Sequence, residues 1–126
     1  MTQDYVIVLN NSETVITEKN LDLQAIQTEL AKNTVLAVKV GRKSYSKALL
    51  RLIAKAECTK ADGHNFGVLL GGHPLSSTVE DTDVALAQIT NAVNTQPWVF
   101  FNNDMIFNRN VFECAESLMY EPVIEN

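Results

Sequence analysis

Apolar residues in this chain come in short blocks separated by polar clusters, and the spacing within each block predicts an element. YVIVL and TVIT, with NNSE between them, read as two strands joined by a turn over residues 5–17, with Asn10-Asn11 supplying the turn. NLDLQAIQTELAKN places Leu23, Ile26 and Leu30 on one helical face. TVLAVKV is a short β-rich run ended by Gly41. SYSKALLRLIAKAE carries Tyr45, Leu49, Leu52, Ile53 and Ala56 at helical spacing, with Ser44 or Ser46 as a cap, and predicts a second helix.

After the turn-rich CTKADGHN the same order starts again. NFGVLL-GGHP-LSST matches the first hairpin, and EDTDVALAQITNAVN predicts a helix lined by Leu86, Ile89 and Val93. PWVFF is a strand whose alternation sends Trp98 and Phe100 to one side and Val99 and Phe101 to the other, so both faces are expected to be covered. NND breaks it, and NRNVFECAESLM predicts a last helix. Tyr5 and Leu9 align with Phe66 and Leu70, 61 positions later, whereas Tyr45 and Leu49 align with Phe107 and Val111, 62 positions later. Inside the first helix of each half the best offset is 63.

The fold class expected is α+β: a single domain over residues 1–126 with a mixed sheet and helices packed on it. It is built from a tandem repeat of a hairpin–helix–strand–helix unit, the first copy at 4–60 and the second at 65–122.

Charge adds what hydropathy does not show. The net charge of −5 divides unevenly: residues 1–61 hold nine Lys or Arg against six Asp or Glu, and residues 62–126 hold Arg109 against nine acids. Such asymmetry suits a charged partner, or pairing between copies of the chain in isologous or head-to-tail fashion. Seven of the ten basic residues fall between Lys39 and Lys60. Lys47, Arg51 and Lys55 recur at i, i+4, i+8 along the predicted second helix, with Arg42 and Lys43 in the turn before it, a stripe able to follow a phosphate backbone. An acidic total and the absence of a named nucleic-acid motif weigh against that use.

Candidate chemistry is sparse. Cys58, His64 and His73, with Cys114 or Asp62, supply metal-ligating atoms, but no CxxC, HxxxH or HExxH spacing joins them, and no metal or cofactor is expected. GGHPLSS brings His73 near Ser76 and Ser77, but in a setting of hairpin-turn chemistry, and there is no GxSxG elbow. No catalytic residue is assigned. Two cysteines make no disulfide framework, there is no run of about 18 apolar residues, and the start lacks a signal peptide's pattern, so the expected setting is reducing and cytoplasmic.

The run MIFNRNVFECAES (Met105–Ser117), following a strand and a polar break, resembles small accessory proteins encoded by phages of Gram-positive bacteria, though the first half departs from it with SYSKALL. That resemblance brings no active site with it. It implies an accessory protein that binds a host or phage macromolecule. The function expected is therefore a non-enzymatic regulator acting by protein–protein contact, as a homo-oligomer. The alternative is nucleic-acid binding through Arg42, Lys43, Lys47, Arg51 and Lys55.

Overall fold

A computed structural model describes residues 2–60 and 62–118. The first half runs β1 (Thr2–Leu9), β2 (Glu13–Lys19), α1 (Leu23–Leu30), β3 (Ala37–Val40), β4 (Lys43–Ser46) and β5 (Leu50–Lys55). A 3-10 turn, Ala56–Thr59, leads to the second half: β6 (Phe66–Leu70), β7 (His73–Ser77), α2 (Thr82–Thr95), β8 (Trp98–Phe101), β9 (Met105–Asn108) and, after a 3-10 turn at Arg109–Val111, β10 (Phe112–Ser117). The fold is thus mixed α+β and mostly sheet, and among the described residues no helix is long and apolar enough to cross a membrane.

Both hairpins and both first helices form where hydropathy places them. Asp22 caps α1 and Asp81 caps α2, each carboxylate accepting backbone N–H bonds from the first turn. The two predicted final helices do not form. SYSKALLRLIAKAE is the end of β4, a turn and β5, and NRNVFECAESLM is a 3-10 turn followed by β10.

The cause lies in β5. It is the middle strand of the five-stranded sheet β2-β1-β5-β9-β8, so apolar residues are needed on both of its faces. Leu52 and Ala54 enter one core and Ile53 the other. A bulge adds to the effect: Val8 opposes Leu52 but Leu9 opposes Leu50, leaving Arg51 as the extra residue. Leu50 therefore joins Ile53 in the second core, and an i, i+3 pair arises in a strand. A two-faced, bulged strand imitates helical spacing.

The five-stranded sheet is covered on both sides. One face meets α1 and the β3–β4 hairpin, with Leu23, Ile26 and Leu30 packed on Tyr5, Ile7 and Ile53 beside Val38, Val40 and Tyr45. The other meets the three-stranded sheet β10-β6-β7 and α2, where Phe66, Val68, Leu70, Ala85 and Ile89 pack on Val8, Leu52, Val99 and Phe107. The Phe66 and Phe101 rings join the two sheets at 5.4 Å between centroids. Trp98 falls in the core that holds Ile53, and Val99 and Phe101 in the core that holds Leu52, as their alternation predicts.

Each half pairs its strands by one scheme. The last strand lies against the first, giving β2-β1-β5 and β7-β6-β10. The bulge recurs: Leu69 opposes Cys114 and Leu70 opposes Phe112, leaving Glu113 where the first half has Arg51. Both bulge side chains reach back to the hairpin turn of their own half, Arg51 donating to the Asn10 side-chain Oδ1 and Glu113 accepting the Gly72 N–H at 2.6 Å. The hairpin after each helix differs by one residue. Val40 opposes Lys43 across two turn residues, opened by Gly41 at φ +62°, whereas Phe101 opposes Met105 across three, Asn102, Asn103 and Asp104.

Candidate functional site

Two regions gather polar groups or open apolar surface. The first is an interior node around Asp104. Ser77 Oγ donates to its Oδ2 at 2.5 Å, and Asn102 Nδ2 approaches the same oxygen at 3.4 Å and also donates to Ser77 Oγ. The Asp104 carbonyl accepts the Lys55 N–H at 2.8 Å, with Cys58 Sγ 3.9 Å away. Asp104 is only 8% exposed, and its Oδ1 is buried with no hydrogen-bond partner. Burial pushes its carboxyl above the ordinary range, opposed by the bonds from Ser77, Cys58 and Asn102. Burial first, then the charge of Asp104, pushes the Cys58 thiol up as well, which disfavours its thiolate. Asn102 and Asn103 hold left-handed φ of 52° and 56° in this turn, and the Asn102 amide is further tied to the Thr78 carbonyl at 3.0 Å. The node clamps the β8–β9 turn to the ends of β5 and β7.

The second region is the outer face of the three-stranded sheet. Val68 and Leu75 turn inward, while Gly67, Leu69, Pro74, Cys114, Glu116 and Leu118 line a groove of about 340 Å³ that ends on Cys58 and Thr59. The groove is half open and predominantly apolar. At its margin Ser76 Oγ donates to the Lys60 carbonyl at 2.9 Å and lies 2.6 Å from His64 Nδ1. With the hydroxyl proton committed to Lys60, His64 is the donor to Ser76 and cannot take that proton, so the pair is a structural link.

The equivalent face of the first half is Val6, Val8, Leu52 and Ala54, all buried against the second half. Their counterparts are Gly67, Leu69, Cys114 and Glu116, the first pair 61 positions on and the second 62. One face is closed by the rest of the chain. The other is open.

Comparison with protein-family models, curated proteins and solved structures finds no match.

The basic residues of the predicted stripe are scattered over several elements. Arg42 is in the β3–β4 turn and Lys43 opens β4; Lys47 lies in the turn before β5, its Nζ on the Lys32 carbonyl at 2.8 Å. Arg51 is held at the bulge and Lys55 ends β5. The i, i+4, i+8 alignment has no helix to create it. His73 stands 3.9 Å from Glu13, whereas Ser76 is paired with His64 and Ser77 with Asp104. Among the described residues no three His, Cys, Asp or Glu side chains gather as a metal site requires. Asp104 and the groove were not marked by any motif, since an acid in a turn and a Leu-Pro-Cys face acquire meaning only once strands are paired.

Proposed function

We propose that this chain is a small non-enzymatic accessory or regulatory protein of phage or mobile-element origin, built by duplication of a hairpin–helix–hairpin–strand unit, that works by protein–protein contact through the outer face of its three-stranded sheet. The observation carrying this reading is the contrast between the two equivalent faces. Val6, Val8, Leu52 and Ala54 are covered, while Gly67, Leu69, Cys114 and Glu116 remain open as an apolar groove with one carboxylate. A shallow apolar groove on a sheet suits an extended peptide segment better than a compact polar metabolite. Duplication is supported by the two bulges and the shared strand order. Lys47, Arg51 and Lys55 lie on no common helix, so the periodicity that suggested nucleic-acid binding no longer supports it.

Selection from a random-peptide library followed by calorimetric titration tests the reading. Apolar peptides with a basic residue to meet Glu116 should be enriched. Their binding should be lost in Leu69→Arg and kept in Val15→Arg, which alters an exposed residue on β2. Failure to enrich, or binders indifferent to Leu69→Arg, would count against it.

A further inference from the structure

Within the chain, the two halves are joined by one strand pair. The last strand of the first half, β5, pairs antiparallel with β9, the second strand of the hairpin that follows α2: Leu52 opposes Phe107, Ile53 opposes Ile106 and Ala54 opposes Met105. The corresponding strands one half further on are β10 and β4. Among the described residues, β10 has β6 as its only paired neighbour and β4 has only β3. Among the described residues, the link that joins half one to half two is left unmade at both β10 and β4.

We propose that β10 of one chain pairs with β4 of a second copy, repeating between chains the β5–β9 relation found within one. This rests on the protein-contact reading above and names the partner. Shifting each partner by 62 positions transfers the register: Cys114 opposes Tyr45, Ala115 opposes Ser44 and Glu116 opposes Lys43. The apolar pair Ala54–Met105 thus becomes an acid–base pair. Lys43 and Glu116 are both exposed, and among the described residues neither side chain has a hydrogen-bond or ion-pair partner. The neighbouring charges agree in sign, Arg42 and Lys47 flanking β4 and Glu113 lying on β10. The other edge of the small sheet, β7, carries Pro74 and is short of a backbone donor, which favours β10 as the pairing edge. The second copy would also lie against the open face at Leu69 and Cys114, the counterpart of the face through which the first half meets the second. The contact is heterologous, head to tail, and therefore forms a ring or a chain of copies.

Sedimentation velocity across a concentration series, at low and physiological salt, tests the pairing. The wild type should gain mass with concentration, more at low salt. Lys43→Glu alone and Glu116→Lys alone should each weaken association about ten-fold or more by setting like charges opposite each other. A chain carrying both changes re-creates the opposite-charge pair and should recover. Both sites are exposed, and thermal melts confirm that the variants are folded. A chain that stays monomeric, association indifferent to the single changes, or no recovery in the double variant would overturn the proposal. If the chain is monomeric while Leu69→Arg still abolishes peptide binding, self-pairing fails and the protein-contact reading stands; loss of both results removes both.

Discussion

Ser77→Ala isolates the energetic role of the interior node. The wild-type hydroxyl gives Asp104 Oδ2 its shortest bond, 2.5 Å, while Oδ1 is buried with no partner and the residue is only 8% exposed. Truncation leaves Asn102 at 3.4 Å as the remaining side-chain donor. An acceptor stranded in the interior costs roughly 1–3 kcal/mol, more when charged. For a domain of this size that corresponds to a melting temperature lower by about 4–12 °C. The loss should depend on pH. Burial holds the folded-state carboxyl above its unfolded value, so the folded chain binds more protons than the unfolded one between those two values. This group's contribution is most favourable below the unfolded value, near pH 4, and declines as pH rises to the folded value. Asp104→Asn removes that dependence. The stability of Asp104→Asn relative to wild type, from urea melts at several pH values, should therefore rise between about pH 4 and neutrality. A difference that stays flat across that range would refute the assignment of a buried, proton-retaining carboxyl at Asp104.

Leu52→Ala, in the middle strand at 0% exposure, should destabilise by about 2–5 kcal/mol in chemical denaturation. Gly41→Ala should cost about 1 kcal/mol or more, because φ is +62° and an added Cβ must displace the Glu18 carboxylate; Gly63→Ala, at φ +78° with open space around it, carries the backbone cost alone, and a clearly larger loss at Gly63 would contradict the account. In thiol titration with a disulfide reagent, the exposed Cys114 should react in the native state and the buried Cys58 only on unfolding. Fast reaction of both would place Cys58 outside the core described.

How far the sequence shows this fold can be judged strand by strand. The two β-hairpins before the helices were legible because their turns, Asn10-Asn11 and Gly71-Gly72, separate runs that alternate or are apolar throughout. α1 and α2 were legible from 3.6-residue spacing, and their Asp caps emerge only in the structure. The β4–β5 segment misled because LLRLIA has no polar face: both sides of β5 are buried, and the bulge at Arg51 moves Leu50 across the sheet. In β10 the same bulge at Glu113 disguises a strand that follows a 3-10 turn. The basic stripe inherited that error, since its alignment existed only on a helix. Open faces and unpaired edges are properties of pairing, and no local pattern reports them.

The shift in alignment from 61 to 62 positions, which weakens a repeat when read from sequence alone, has a place in the fold. Through β1, β6, β3 and β8 the offset is 61: Leu9 with Leu70, Val38 with Val99, Val40 with Phe101. From β4 and β9 onward it is 62: Tyr45 with Phe107, Leu52 with Cys114. Outside the first helices, where the best offset is 63, the change falls in one turn, which has two residues after β3 and three after β8. The third is Asp104. The residue that breaks the numerical match is therefore the one whose backbone carbonyl receives the Lys55 N–H and whose side chain receives Ser77, at the junction where the β8–β9 hairpin joins the sheet of the first half. The β3–β4 turn has no counterpart to it and its hairpin joins no larger sheet in the chain. If Asp104 is the clamp that fixes β9 on β5, its removal should loosen that junction first. In hydrogen exchange, deletion of Asp104 should raise exchange in Met105–Asn108 and Leu50–Lys55 before it does so in β6 and β7. Uniform loss of protection would assign the extra residue to turn geometry alone.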